Sequence, residues 1–240
     1  MVILITIATF FSTLLGGLFA LHLKDKLHLI LGFSAGAILG VAFFDLLPEA
    51  LSLTGKVYSA STVLVVVMIG FTTYLVLDRM VLLHNHGDDE HDHGAVRRGN
   101  AGAGSLSFHS FLDGVGIGLA FQVSPSVGAV VAAAVLTHDF SDGINTINLV
   151  LKNKGERGKA FRWLLVDATA PVIGVLSTLF FVLPEGQLGL LLALFAGFFL
   201  YIGASDLIPE SYHTHRKHWT TIMTVVGIGT LYLIIRLASI

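Results

Sequence analysis

Residues 105–122 read Ser105-Leu106-Ser107-Phe108-His109-Ser110-Phe111-Leu112-Asp113-Gly114-Val115-Gly116-Ile117-Gly118-Leu119-Ala120-Phe121-Gln122, a largely apolar run with a histidine and an aspartate near its centre. At about 100° per residue, His109 and Asp113 lie about 40° apart on one helical face, one turn apart. The run over 126–150 repeats the arrangement, with His138-Asp139-Phe140-Ser141-Asp142-Gly143 standing against His109-Ser110-Phe111-Leu112-Asp113-Gly114. An imidazole and a carboxylate at i, i+4 are how a helix offers two ligands to one divalent ion, and two such faces opposed make a cage. The Gly that closes each motif lets a neighbouring helix approach closely.

Around these runs the composition is that of a chain in lipid. Of 240 residues, 54% are hydrophobic and 12% charged, with a mean hydropathy of +0.81; an average globular chain carries roughly 25% charged residues. Apolar runs of about 20 residues, the length that spans a bilayer, occur at about 2–21, 29–51, 59–77, 105–122, 126–150, 161–183, 187–210 and 219–239. Hence the expected fold is an all-α integral membrane protein of eight transmembrane helices. The first run has no basic residue before it and Lys24 and Lys26 after it, which describes a retained helix rather than a cleaved signal. Loops rich in Lys and Arg stay in the cytoplasm. With the N-terminus outside, that side holds Lys24, Lys26, Arg79, Arg97, Arg98, Lys152, Lys154, Arg157, Lys159, Arg162, Arg216 and Lys217, 12 of the 14 basic residues, leaving Lys56 and Arg236 outside. Both termini are therefore expected outside. A net charge of −2 without a basic domain argues against nucleic acid as a partner, and the absence of Cys excludes disulfides and thiolate metal sites.

Eight of the 16 acidic residues fall inside the runs: Asp45, Glu49, Asp113, Asp139, Asp142, Asp167, Asp206 and Glu210. An acid at a helix centre costs about 2.5–3.5 kcal/mol on the insertion scale, and the runs hold no deeply placed Lys or Arg to pair with. A mobile cation is the natural partner. Asp167, in the sixth run, is positioned to close the cage from a third side. Asp45-Leu46-Leu47-Pro48-Glu49 is echoed by Asp206-Leu207-Ile208-Pro209-Glu210, in helices that the topology inserts in opposite directions. Opposed copies point to an inverted repeat of helices 1–3 and 6–8 around a central helix 4/5 pair, with rocking of one triplet against the other giving alternating access. Asn145 and Asn148 continue the ligand face of the fifth run towards the cytoplasm and read as pathway lining, with interhelical hydrogen bonding as the alternative.

The chain is expected to form a single transmembrane domain over 1–240. Within it, residues 84–104 form a flexible cytoplasmic loop carrying His84, His86, His91 and His93 beside Asp88, Asp89, Glu90 and Asp92. Such a segment chelates loosely, which suits buffering or sensing of metal; a solvated linker with incidental His is the simpler alternative.

On these motifs the whole chain resembles the ZIP (Zrt/Irt-like) family of divalent transition-metal transporters, which has eight helices, both termini outside, a His-rich loop between the third and fourth helices, and an HNxPEG-type motif on the fourth with a similar one on the fifth. The resemblance implies that His109 and Asp113, with Ser110 where Asn is usual, and His138, Asp139 and Asp142 are metal ligands. It implies too that Asp167 belongs to a second, adjacent metal position. Asp113 and Asp142 stand for the more common Glu, and neither motif holds Pro. The implied activity is import of Zn²⁺, with Fe²⁺, Mn²⁺, Co²⁺ or Cd²⁺ as alternatives, across the cell membrane. The ion is substrate, with no prosthetic group, and membrane lipids surround a chain acting alone or as a homodimer. Access would run past Asp45 and Glu49, and release past Asp206, Glu210 and the two Asn. The rival class is an intramembrane zinc hydrolase acting on a lipid amide or ester.

Overall fold

The computed structural model describes residues 2–19, 27–83, 92–211 and 217–238. These residues form eight helices and no strand. We number them α1 (Val2–Phe19), α2 (residues 27–54), α3 (Ala60–Leu83), α4 (Asp92–Val123), α5 (Pro125–Lys152), α6 (Arg157–Ser177, ending in a tighter turn, Thr178–Phe180), α7 (residues 185–211) and α8 (Lys217–Ala238). Seven are long and apolar enough to cross a membrane. The eighth, α4, contains the run over 105–122 and carries His109, Ser110 and Asp113, whose polarity dilutes its apolar character.

The burial pattern is that of a protein whose solvent is hydrocarbon. Leu4, Phe11, Met68, Ile173, Val225 and Leu237 face outward, while Thr9, Thr13, His138, Asp139 and Asp167 are fully buried. In this setting polar side chains mark the interior.

α2 and α7 are each interrupted at the repeated Asp-Leu-x-Pro-Glu sequence. A π-helical segment covers Ala42–Leu46 in α2, where the Leu47 N–H donates to the Ala42 carbonyl. In α7 the segment is Ile202–Leu207, where the Ile208 N–H donates to the Gly203 carbonyl. Pro48 and Pro209 each lack an N–H and crowd the carbonyl four residues back, which resets the hydrogen-bond ladder just upstream. Both widened turns place the aspartate, Asp45 or Asp206, within the interruption.

Packing divides the helices into two groups. α2 packs on α7 and α8, and α3 on α7; α1 packs on α5 and α6, and α4 on α5 and α6. Contacts between the groups are sparser. The first three helices therefore do not form a body apart from the last three, as the expected rocking motion requires: α1 belongs with the central pair, and α2 and α3 with α7 and α8. Four crossings are made at paired glycines, where a Cβ on either member would meet the backbone of the partner helix: Gly36 with Gly227, Gly70 with Gly197, Gly16 with Gly143, and Gly114 with Gly174. At such contacts helix backbones touch directly, which in lipid is a principal source of packing energy.

The expected linker over 84–104 is shorter than the sequence suggested, because α4 begins at Asp92. Its Gly/Ala/Ser stretch is a packing surface. A Cβ at Gly99 would meet Asn153, the residue that caps α5, and one at Gly102 would meet Leu149 of α5; the Trp163 indole donates to Asn100 Oδ1 at 3.0 Å, and Ala103, Val150 and Ala160 form a small buried cluster. Small residues that spell flexibility in water permit close helix contact here. His84, His86 and His91 lie outside the described residues, and His93 is placed on the first turn of α4.

Candidate metal centre

The i, i+4 spacing on α4 and α5 does what helical geometry requires and turns both His/Asp pairs into one buried space. His109, Asp113, His138 and Asp142 are all buried, and one ligand atom from each lies within 4.8 Å of the others. His109 Nε2 is 3.1 Å from Asp113 Oδ2 and 3.6 Å from Asp142 Oδ2. His138 Nε2 is 3.0 Å from Asp113 Oδ2 and 3.8 Å from Asp142 Oδ2. A tetrahedral ion with bonds of about 2.0–2.1 Å needs ligand atoms about 3.3 Å apart, and the four distances bracket that edge.

The surroundings fix this arrangement. α5 is capped by Ser124, whose Oγ accepts from the Val127 N–H at 3.2 Å, with Pro125 in its first turn. Ser12 of α1 and Ser34 of α2 donate to the carbonyls of Leu136 and Thr137, at 3.2 and 2.6 Å, just before His138. His138 Nδ1 sits 3.1 Å from the Ala134 carbonyl, leaving Nε2 to face the carboxylates. Gly143 and Gly114, directly after the quartet's two aspartates, are at the close crossings with α1 and α6. The positions of the quartet's side chains are thus tied to backbone contacts.

The remaining expected residues fall around this quartet. Asp139 is fully buried next to His138, with neither carboxylate oxygen hydrogen-bonded. Asp167 is fully buried but outside the quartet: Ser110 Oγ donates to its Oδ1 and Thr146 Oγ1 to its Oδ2, each at 2.8 Å. Ser110 thus reaches Asp167. Asp45 and Glu49 are half-buried on the interrupted part of α2, and one Asp45 oxygen, Oδ2, is buried without a partner. Asp206 and Glu210 are placed on the matching part of α7, and Asn145 and Asn148 are half-buried on α5.

Two contributors carry no motif. Thr146 continues the face Ala134, His138, Asp142 at steps of four, a spacing that was available in the sequence. Tyr74 of α3 sets its ring against His109, with centroids 5.7 Å apart and planes at 85°, and nothing in the sequence marks it.

The family model of ZIP zinc transporters matches residues 1–105 and 84–235, nearly the whole chain. The chain belongs to the ZIP zinc transporter family. Among ZIP relatives, it is 25% identical over 239 residues to the zinc transporter ZupT of Corynebacterium aurimucosum, covering 92% of this chain and 90% of that protein. It is 28% identical over 219 residues to the ZupT of Corynebacterium efficiens, covering 82% and 80%. The zinc transporter ZIP13 of Pongo abelii is 25% identical over 203 residues, 80% of this chain and 59% of that protein. As a ZIP member the chain is a multi-pass membrane protein of a transporter family, and its buried His/Asp quartet is suited to a divalent metal.

Proposed function

We propose that this chain carries Zn²⁺ across the cell membrane into the cytoplasm, binding it at His109, Asp113, His138 and Asp142. The carrying observation is the quartet itself: two imidazole nitrogens and two carboxylates, buried, at distances that fit a tetrahedral ion. Two carboxylates cancel the ion's charge, and with no thiolate the set suits Zn²⁺ and the comparable or harder Fe²⁺, Co²⁺ and Mn²⁺, with the softer Cd²⁺ as a poorer fit. Asp45 and Glu49 serve the outer mouth, Asp206, Glu210 and the Asn pair the inner one, and both termini are outside. Asp139 and Asp167 lie beside the centre as a second carboxylate pair.

An inverted repeat is supported by register. Exchanging α1–α3 for α6–α8 and α4 for α5 converts the α2–α8 contact into α7–α3, and the α1–α5 contact into α6–α4; all four are among the main packings of the fold. The glycine crossings follow the same exchange, Gly36 with Gly227 becoming Gly197 with Gly70, and Gly16 with Gly143 becoming Gly174 with Gly114. Both widened turns fall at matched positions. All four ligands ride on α4 and α5, so movement of their group against α2, α3, α7 and α8 would carry the ion with it.

Transport rather than hydrolysis is favoured by ligand count. A catalytic zinc keeps three protein ligands and an open position for water, whereas four protein ligands converge here. In proteoliposomes holding a zinc-sensitive dye, the chain should accumulate Zn²⁺ and leave the lipid intact. Lipid cleavage without accumulation would overturn the reading.

A further inference from the structure

The two imidazoles of the centre are held by different means. His138 has Nδ1 against the Ala134 carbonyl at 3.1 Å, the outer contact that ordinarily fixes a ligating imidazole. His109 is nearly as deeply buried, yet its Nδ1 has no hydrogen-bond partner. Two rings meet its own: His138, tilted, with centroids 5.5 Å apart, and Tyr74 from outside the quartet, edge-on, at 5.7 Å. Tyr74 is braced in turn by Phe198 and Tyr201 of α7, at 5.7 and 5.4 Å between centroids.

We propose that Tyr74 is a positioning residue for the transported ion, orienting the His109 ring by aromatic contact where His138 is oriented by a backbone hydrogen bond. This rests on the reading of the quartet as the metal site. Rotation of the His109 ring would swing Nε2 away from Asp113 and Asp142, now 3.1 and 3.6 Å distant. No hydrogen bond at Nδ1 opposes that rotation, so ring packing supplies the resistance, and Tyr74 is the packing partner from outside the quartet. The placement also has a direction. His138 and its Ala134 anchor both belong to α5, whereas His109 and Tyr74 belong to different helix groups. Displacing one group against the other leaves His138 held and frees His109, which makes His109 the first ligand to let go.

The test is Zn²⁺ titration calorimetry on the full chain purified in detergent. Tyr74→Phe, which keeps the ring, should bind as wild type. Tyr74→Leu and Tyr74→Met, two ring-less replacements of which one folded example suffices, should bind about three- to tenfold more weakly, the worth of one aromatic pair. In a His109→Ala background the same replacements should cost nothing further, an outcome that a merely structural role would not produce. Wild-type affinity in the ring-less variants, or an equal loss in the His109→Ala background, overturns the role of Tyr74 while leaving the metal site standing. Absence of Zn²⁺ binding by the wild-type chain overturns the metal reading itself, and this proposal with it.

Discussion

Replacing Gly114 with Ala adds one methyl group to the residue after Asp113, at the crossing of α4 and α6. A Cβ there would lie 2.7 Å from the carbonyl carbon and the Cα of Pro171. Ordinary carbon contacts are about 3.5–4.0 Å, so the two backbones must part by close to 1 Å. Neither can yield locally, because the obstacle is main chain and Gly174 meets α4 in the same tight fit. Asp113 moves with α4, and its Oδ2 sits 3.1 and 3.0 Å from the two imidazoles. Functional sites tolerate about 0.5 Å, and a displacement near 1 Å costs on the order of 100-fold. Initial Zn²⁺ uptake into proteoliposomes, at matched protein incorporation, should therefore fall by about that factor in Gly114→Ala. Gly104→Ala is the control on the same helix, because its Cβ meets only the Trp163 ring at 3.4 Å. Wild-type uptake by Gly114→Ala would refute the link between this crossing and the ligand geometry.

Asp113→Ala and Asp142→Ala should each lose more than the roughly 10- to 100-fold that outer partners of a metal site command, with membrane insertion unchanged; uptake assayed against expression checks this. Thr146→Val leaves Asp167 Oδ2 without its donor and should cost about 1–3 kcal/mol of stability, read as a lower unfolding temperature in detergent. Thr169→Val should be neutral, since that exposed hydroxyl bonds only carbonyls of its own helix. The native absence of Cys permits an orientation test. A single cysteine at Ser126, which is exposed, should react with an impermeant thiol reagent from outside. One at Gly158, where a side chain meets nothing within 4 Å, should react only after the membrane is opened.

Much of this molecule is legible in its sequence because hydrocarbon imposes simple rules. The eight helices follow from runs of about 20 apolar residues, and the buried quartet from a His/Asp spacing of four that occurs twice. What escapes has physical causes. The first turns of α4 read as a linker, because Gly99, Gly102 and their neighbours are small and polar-flanked, and only a partner helix shows that they are a contact face. Asp167 is recognisable as a buried acid, but its hydroxyl donors, Ser110 and Thr146, emerge only when three helices meet. Tyr74 is one of two aromatics, with Phe71, on a largely exposed apolar helix. Proximity to His109 is a property of tertiary packing, and no local pattern encodes it.

The central claim is that a divalent ion is held between the two central helices by His109, Asp113, His138 and Asp142. Anomalous diffraction from crystals of the chain loaded with Zn²⁺ addresses it directly. A strong peak is expected among the Nε2 atoms of His109 and His138 and the carboxylates of Asp113 and Asp142, absent in Asp113→Ala crystals grown alike. Anomalous density confined to other residues, with none among these four, would contradict it.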